Sequence, residues 1–247
     1  MLTNAACVES HTHPTAPKTD VHPLIRLHRS NNWLKAFQPA IKQTRIYRRG
    51  EILFRSGTFF HALYALNSGS VKIYADCDDG TELVFGFCLP GELIGLEGID
   101  KRIHSFSAVA LENSSITEIS YDALQSLLPS SVAAQQTLNR FYGKEIAQKC
   151  ALLLVKNKDA SERLASFLLN MSERFAELGY SERKFNLSMT RFEIGNYLGL
   201  APETISRVFT CFQNKHLVRV EKRTVEILNK QKLEEAAGAG WPSACFS

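Results

Sequence analysis

The segment from Thr190 to Phe209 narrows the possible folds of this chain more than any other, because it spells two short helices and the turn between them. Thr190 and Glu193 stand at capping-box spacing, where hydroxyl and carboxylate each satisfy a backbone N–H at a helix start. A helix is therefore expected from about Arg191. Ile194, Tyr197 and Leu198 supply its buried face, and Gly199 can take the positive φ that ends it. Pro202 suits the first turn of a second helix, where its missing N–H is not needed. Ile205, Val208, Phe209 and Phe212 then form an apolar stripe at helical spacing. The pattern is that of a DNA-binding helix-turn-helix.

The second helix leaves Glu203, Thr204, Ser206, Arg207 and Thr210 facing outward. Arginine can donate two hydrogen bonds to guanine, glutamate can accept from cytosine, and serine or threonine can serve bases or phosphates. The net charge of +4 is modest, but its placement is uneven. Between Arg183 and Arg223 eight Lys or Arg face three acids, a concentration suited to phosphates. Lys222 and Arg223 lie in a turn between Leu217-Val218-Arg219-Val220 and Thr224-Val225-Glu226-Ile227-Leu228, which reads as a hairpin wing. Double-stranded DNA is the partner these residues imply.

At 247 residues and 45% hydrophobic, the chain can bury a sizeable core and is expected to form two domains. It has no run of eighteen apolar residues, and Met1 to Ser10 lacks the basic segment and apolar core of a secretory signal. A soluble cytoplasmic protein with no membrane association is expected. The six cysteines, Cys7, Cys77, Cys88, Cys150, Cys211 and Cys245, are scattered and read as reduced structural thiols. His11, His13, His22 and His28 lie near Cys7, but this polar leader reads as disordered rather than as a metal site. No cofactor is expected.

From Thr44 to Ser120, turn signals at Arg49-Gly50, Ser68-Gly69, Asp79-Gly80 and Pro90-Gly91 separate short apolar runs, the mark of an antiparallel β-roll. Beyond Tyr121 the pattern is helical. Ser131 to Val155 runs without proline, predicting a helix of about 37 Å, longer than one small domain needs. Val132, Leu138, Tyr142, Ile146, Leu153 and Leu154 are expected near one side, packed against a second copy of the chain. The fold class is thus α+β: an N-terminal antiparallel β-roll, a long dimerisation helix and a C-terminal winged helix-turn-helix. The expected divisions are a leader at 1–30, the roll at 31–128, the dimerisation helix at 129–156, the reading domain at 157–235 and a tail at 236–247.

In that order of parts the chain resembles the CRP/FNR superfamily of bacterial transcription regulators over about residues 35–235. The FNR branch is nearest, on Ser161-Glu162-Arg163-Leu164-Ala165, Leu187-Ser188-Met189-Thr190-Arg191, Ile194-Gly195-Asn196-Tyr197-Leu198-Gly199-Leu200 and Glu203-Thr204-Ile205-Ser206-Arg207. The resemblance implies that Glu203, Ser206 and Arg207 read an inverted repeat of the TTGAT…ATCAA type, that Thr190 touches a phosphate, and that RNA polymerase is a partner. Ala201 departs from the Ser or Thr common before the recognition helix.

The sensory half departs further. Oxygen-sensing members hold an iron–sulfur cluster on an N-terminal cysteine group and one internal cysteine, whereas here Cys7 stands alone and Thr117 occupies the internal place. The cyclic-AMP branch follows its Gly-Glu-Leu with an Arg-Ser phosphate clamp. Gly91-Glu92-Leu93 is present, but the later segment reads Lys101-Arg102-Ile103-His104-Ser105. Glu92 therefore reads first as a turn residue and second as a ribose ligand, with Arg102 the substitute for the clamp if the loop shifts. Glu92 and Arg102 are the candidate ligand-binding residues of the alternative, a regulator of the same superfamily that responds to a cyclic nucleotide or other small ligand. A cupin-type enzyme would need a His and carboxylate cluster in the roll, and that region offers only His61 and His104. No catalytic constellation appears, so a regulator rather than an enzyme is expected.

Overall fold

The computed structural model describes residues 29–77 and 80–238. The Cys7 leader, Asp78-Asp79 and the tail from 239 lie outside the described residues. A 3-10 helix at Arg29–Ala40 leads into eight strands: β1 (Ile41–Tyr47), β2 (Ile52–Phe54), β3 (Ala62–Ser68), β4 (Val71–Asp76), β5 (Glu82–Cys88), β6 (Leu93–Ile94), β7 (Ser107–Ala110) and β8 (Ser114–Ser120). They form two antiparallel sheets, ordered β1-β8-β3-β6 and β2-β7-β4-β5. Strand β3 is buried from Ala62 to Leu66, as befits a strand covered on both faces. The β4–β5 hairpin pairs Asp76 with Glu82. Strand β1 begins three residues before Thr44, where the strand-and-turn pattern of the sequence starts, because its exposed Lys42, Gln43, Thr44 and Arg45 disguise it as loop.

The helical part follows as α1 (Tyr121–Leu127), α2 (Val132–Lys156) and α3 (Ala160–Glu177). Ser131 caps α2 by accepting from the Ala134 N–H, and Asp159 and Glu162 form a capping box at the start of α3. Then come β9 (Lys184–Asn186), α4 (Arg191–Leu198), α5 (Pro202–Asn214), β10 (Val218–Glu221), β11 (Thr224–Ile227) and α6 (Lys230–Ala236). The wing is a three-stranded sheet ordered β10-β11-β9. Helix α6 has no counterpart in the sequence reading. Its short Lys- and Glu-rich run hides the one buried leucine, Leu233, and the Asn229 cap. Among the described residues no helix is long and apolar enough to cross a membrane.

Helix α2 has two apolar faces where one was expected. Val132, Ile146 and Leu153 are 66%, 63% and 65% exposed, and Leu154 is 56% exposed. Leu138 is instead buried with Trp33, Phe60, Leu124 and Phe141 in the core of the chain's own roll, and Tyr142 packs partly against that core. The physical reason is angular: at 3.6 residues per turn, Leu138 lies about 80° round the helix from Ile146. A second core runs through α3, α4, α5 and the wing and takes in Val84, Phe87, Leu89 and Leu111 of the roll. Apolar packing is therefore continuous from the roll into the helix-turn-helix.

Candidate nucleic-acid interface

The reading head is built as its residues dictate. The Thr190 backbone N–H donates to Glu193 Oε2 at 2.7 Å, and the Glu193 N–H donates to Thr190 Oγ1 at 3.2 Å, closing the capping box of α4. Gly199 takes φ 67° at the C-terminal end of α4. Gly195 answers a different demand, since a Cβ there would stand 2.6 Å from the Leu200 carbonyl oxygen. That glycine lets the turn fold back on α4, and the Leu200 N–H donates to the Gly195 carbonyl at 2.8 Å. Pro202 opens α5, while Ala201 precedes it without a side-chain cap.

Ile205, Val208, Phe209 and Phe212 are buried, which turns the opposite face of α5 outward. Glu203, Ser206, Arg207 and Thr210 are exposed and Thr204 is half-buried. In the free protein Ser206 donates to the Pro202 carbonyl and Thr210 to the Ser206 carbonyl, so these hydroxyls are held along the helix. The Arg191 guanidinium lies 3.4 Å from the centroid of the Phe209 ring, and burial pulls it down to about 10. Arg191 thus braces α4 on α5. In the wing, Lys222 and Arg223 are exposed at the β10–β11 turn, with Lys222 at φ 56°. Arg223 also donates to the Ser188 carbonyl at 3.3 Å, which ties the loop before α4 to the wing.

The head rests on the outer edge of β5, whose polar groups are covered by side chains from three helices. Asn196 of α4 accepts from the Val84 N–H at 2.7 Å and donates to the Glu82 carbonyl. Lys149 of α2 donates to the Phe85 carbonyl at 3.1 Å, and Arg174 of α3 donates to the Phe87 carbonyl at 2.6 Å. Beside this edge Lys72 reaches Glu82 at 2.6 Å and Glu193 at 3.2 Å. Burial alone would lower the Lys72 ammonium, but the two carboxylates overcome it and hold it above its ordinary value. The Tyr197 ring sits between Phe87 and Phe167, and burial pushes its hydroxyl up to about 12.

The sequence reading did not assign Asn196, Lys149, Arg174 or Lys72. Arg174 left a signal, because it stands seven and three residues after Phe167 and Met171, on the stripe that α3 buries. A cation in such a stripe requires a partner, and here it is Glu92, whose Oε2 accepts from Arg174 at 2.8 Å. Burial would lower the guanidinium, yet Glu92 holds it above its usual range.

Glu92 is indeed in a turn, accepting from the Leu89 N–H at 3.1 Å. Arg102 takes φ 57°, is bonded to Asp122 at 2.6 Å and lies over Tyr121, and it is not among the residues that line the cavity of about 80 Å³ beside Glu92, between the roll and α2. Thr117 lies in a polar triad, 2.8 Å from both Thr44 Oγ1 and Asn67 Nδ2. His61 lies 3.4 Å from Glu118, and His104, 3.1 Å from Glu97, is stacked on Phe54. No group of three or more His, Cys, Asp or Glu converges on a metal position among the described residues.

Known proteins share both halves of this architecture. The family described as Crp-like helix-turn-helix domain matches residues 162–236, and the cyclic nucleotide-binding domain family matches residues 44–131. The transcriptional activator protein Anr of Pseudomonas protegens is 43% identical over 83% of this chain and 84% of its own length. The fumarate and nitrate reduction regulatory protein of Escherichia coli is 39% identical over 80% of each chain. Among solved structures, FixK2 from Bradyrhizobium japonicum aligns with a TM-score of 0.74 at 26% identity, over 80% of this chain and 98% of that one. With its β-roll, long helix, capped helix-turn-helix and wing, the chain belongs to the CRP/FNR family of DNA-binding transcription regulators.

Proposed function

We propose that the protein acts as a cytoplasmic homodimer joined along α2, placing two α5 helices in successive major grooves of an FNR-like inverted repeat. The observation that carries this reading is the exposed stripe of Val132, Ile146 and Leu153 on the same chain as an uncovered polar face on α5. Leu138 and Tyr142 serve the chain's own roll and leave the dimer contact to that stripe. Glu203, Thr204, Ser206 and Arg207 read bases, while Thr190, Lys222 and Arg223 hold phosphates. The parts divide the work as roll, dimerisation helix and reading domain, and RNA polymerase is the protein partner the family implies.

The roll works without an iron–sulfur cluster or cyclic AMP. A thiolate set does not fit around Thr117, whose hydroxyl is already engaged by Thr44 and Asn67. The carboxylate of Glu92 is taken by Arg174, and among the described residues no Arg-Ser clamp faces it. A ligand with no preference between two states shifts neither, so DNA binding is oxygen-independent and indifferent to cyclic AMP. The test is sedimentation and DNA binding of Ile146→Asp, which sets like charges against each other across the two-fold axis. Monomers with weakened palindrome binding are expected, and an unchanged mass would overturn the dimer. Stoichiometric iron and sulfide in anaerobically prepared protein, lost in air together with DNA binding, would overturn the cluster-free reading.

A further inference from the structure

The side chain of Asn196 does on β5 what a neighbouring strand would do. Strand β5 is the last in its sheet, so its outer N–H and C=O groups have no strand to bond. Asn196 supplies one acceptor and one donor to Val84 and Glu82, the residues on either side of Leu83. A carboxamide presents the same donor and acceptor pair as a peptide unit, and both of its bonds run from the first helix of the reading head to the roll. Two further contacts fix the same helix: the Lys72 ion pair to Glu193, and the packing of Tyr197 on Phe87. On α5, Glu203, Ser206 and Arg207 are exposed while α4 is docked.

We propose that Asn196 is the positioning residue for DNA recognition: it fixes the angle of the reading head on the roll and so sets the half-site spacing that the dimer accepts. This rests on the homodimeric reading above. Both polar groups of the Asn196 carboxamide are engaged on β5. The residue acts through α4, which carries α5 on the Gly195 close approach and the Arg191–Phe209 contact. One inserted base pair moves a half-site by about 3.4 Å and turns it by roughly 34°, so a rigid head cannot follow it, whereas a loosened one can.

The experiment measures the affinity of the full chain for duplexes carrying the TTGAT…ATCAA repeat at its natural spacing and with one base pair added or removed. The wild type should lose about tenfold or more on either altered spacing, the scale of one mismatched pair. Asn196→Leu removes both bonds at similar size. It should bind the natural site more weakly but differ by less than about threefold among the three spacings, with base preference in each half-site unchanged. Asn196→Asp keeps the acceptor for the Val84 N–H and should fall between, which preserves the test if the leucine variant does not fold. A variant that weakens on all spacings by one factor would overturn the proposal, because that is what mere destabilisation does. Tighter binding by Asn196→Leu would also overturn it, making the contact a restraint on the head instead. If the wild type itself is indifferent to spacing, the dimeric reading fails first.

Discussion

The outer face of α5 and the outer edge of β5 are both rows of polar groups, and the protein treats them in opposite ways. On α5, Glu203, Ser206 and Arg207 stand in solvent and bond only along their own helix or not at all. On β5, each outward backbone group described above has a side-chain partner from another helix. The difference lies in what each row can tolerate. A solvated side chain loses little by waiting for a partner, and its displaced water is recovered when DNA arrives. A strand edge buried under helices has no water to wait with, and an unmatched N–H or C=O there costs about 1–3 kcal/mol. Damage to β5's partners should therefore appear as lost stability and, at Asn196, as looser spacing, whereas damage to α5 should appear as lost base discrimination.

The largest effect is expected at Arg174. Removing one member of a buried ion pair strands the other, at a cost of about 3–5 kcal/mol. For a chain of this size, Arg174→Met should lower the melting temperature by roughly 6–20 °C, with base preference intact in whatever fraction remains folded. Adding Glu92→Met removes the stranded carboxylate and should recover most of the loss, since apolar replacement of a whole buried pair is close to neutral. A single variant that melts with the wild type would mean that the pair holds nothing across the junction.

At Arg207 the expectation is reversed. Arg207→Ala should leave the melting curve in place and cost about 1–3 kcal/mol in DNA affinity, concentrated at one base position in each half-site. Fluorescence anisotropy across a set of single-base variants separates the outcomes. Equal weakening on every sequence would make Arg207 a phosphate contact, and the contrast between the two surfaces would then concern charge alone.

This contrast also explains which parts were legible in the sequence. The reading head was written in local rules: Thr190 and Glu193 at capping-box spacing, Gly199 where the chain must turn, Pro202 at a helix start, and apolar residues at helical period. Each constraint acts within four residues, so the sequence displays it. Strands β3, β4 and β5 were likewise visible between their turns. The junction obeys no local rule. Asn196 and Val84 are 112 positions apart, and Arg174 and Glu92 are 82 apart, so only the folded chain brings them together. The two faces of α2 failed for a related reason. Leu138 and Ile146 are both apolar, and nothing within the helix says which of them faces the roll.

The smallest effect tests whether Lys72 belongs to the junction, and pH is the lever. Its folded value lies above the ordinary 10.5, so the protonated lysine stabilises the folded chain. For a group raised on folding, that contribution is complete below 10.5 and is lost as the pH climbs through the folded value. Melting temperatures of the wild type and Lys72→Met should therefore be compared from neutral pH to about pH 11, where other lysines and tyrosines titrate in both proteins alike. The wild type should be the more stable at neutral pH, because Glu82 and Glu193 would otherwise share a half-buried site with no cation between them. Its advantage should shrink above 10.5 as Lys72 gives up its proton. A constant difference across the whole range would show that burial of the Lys72 alkyl stem matters more than its charge, and would remove the ion pair from the set of contacts that dock α4 on the roll.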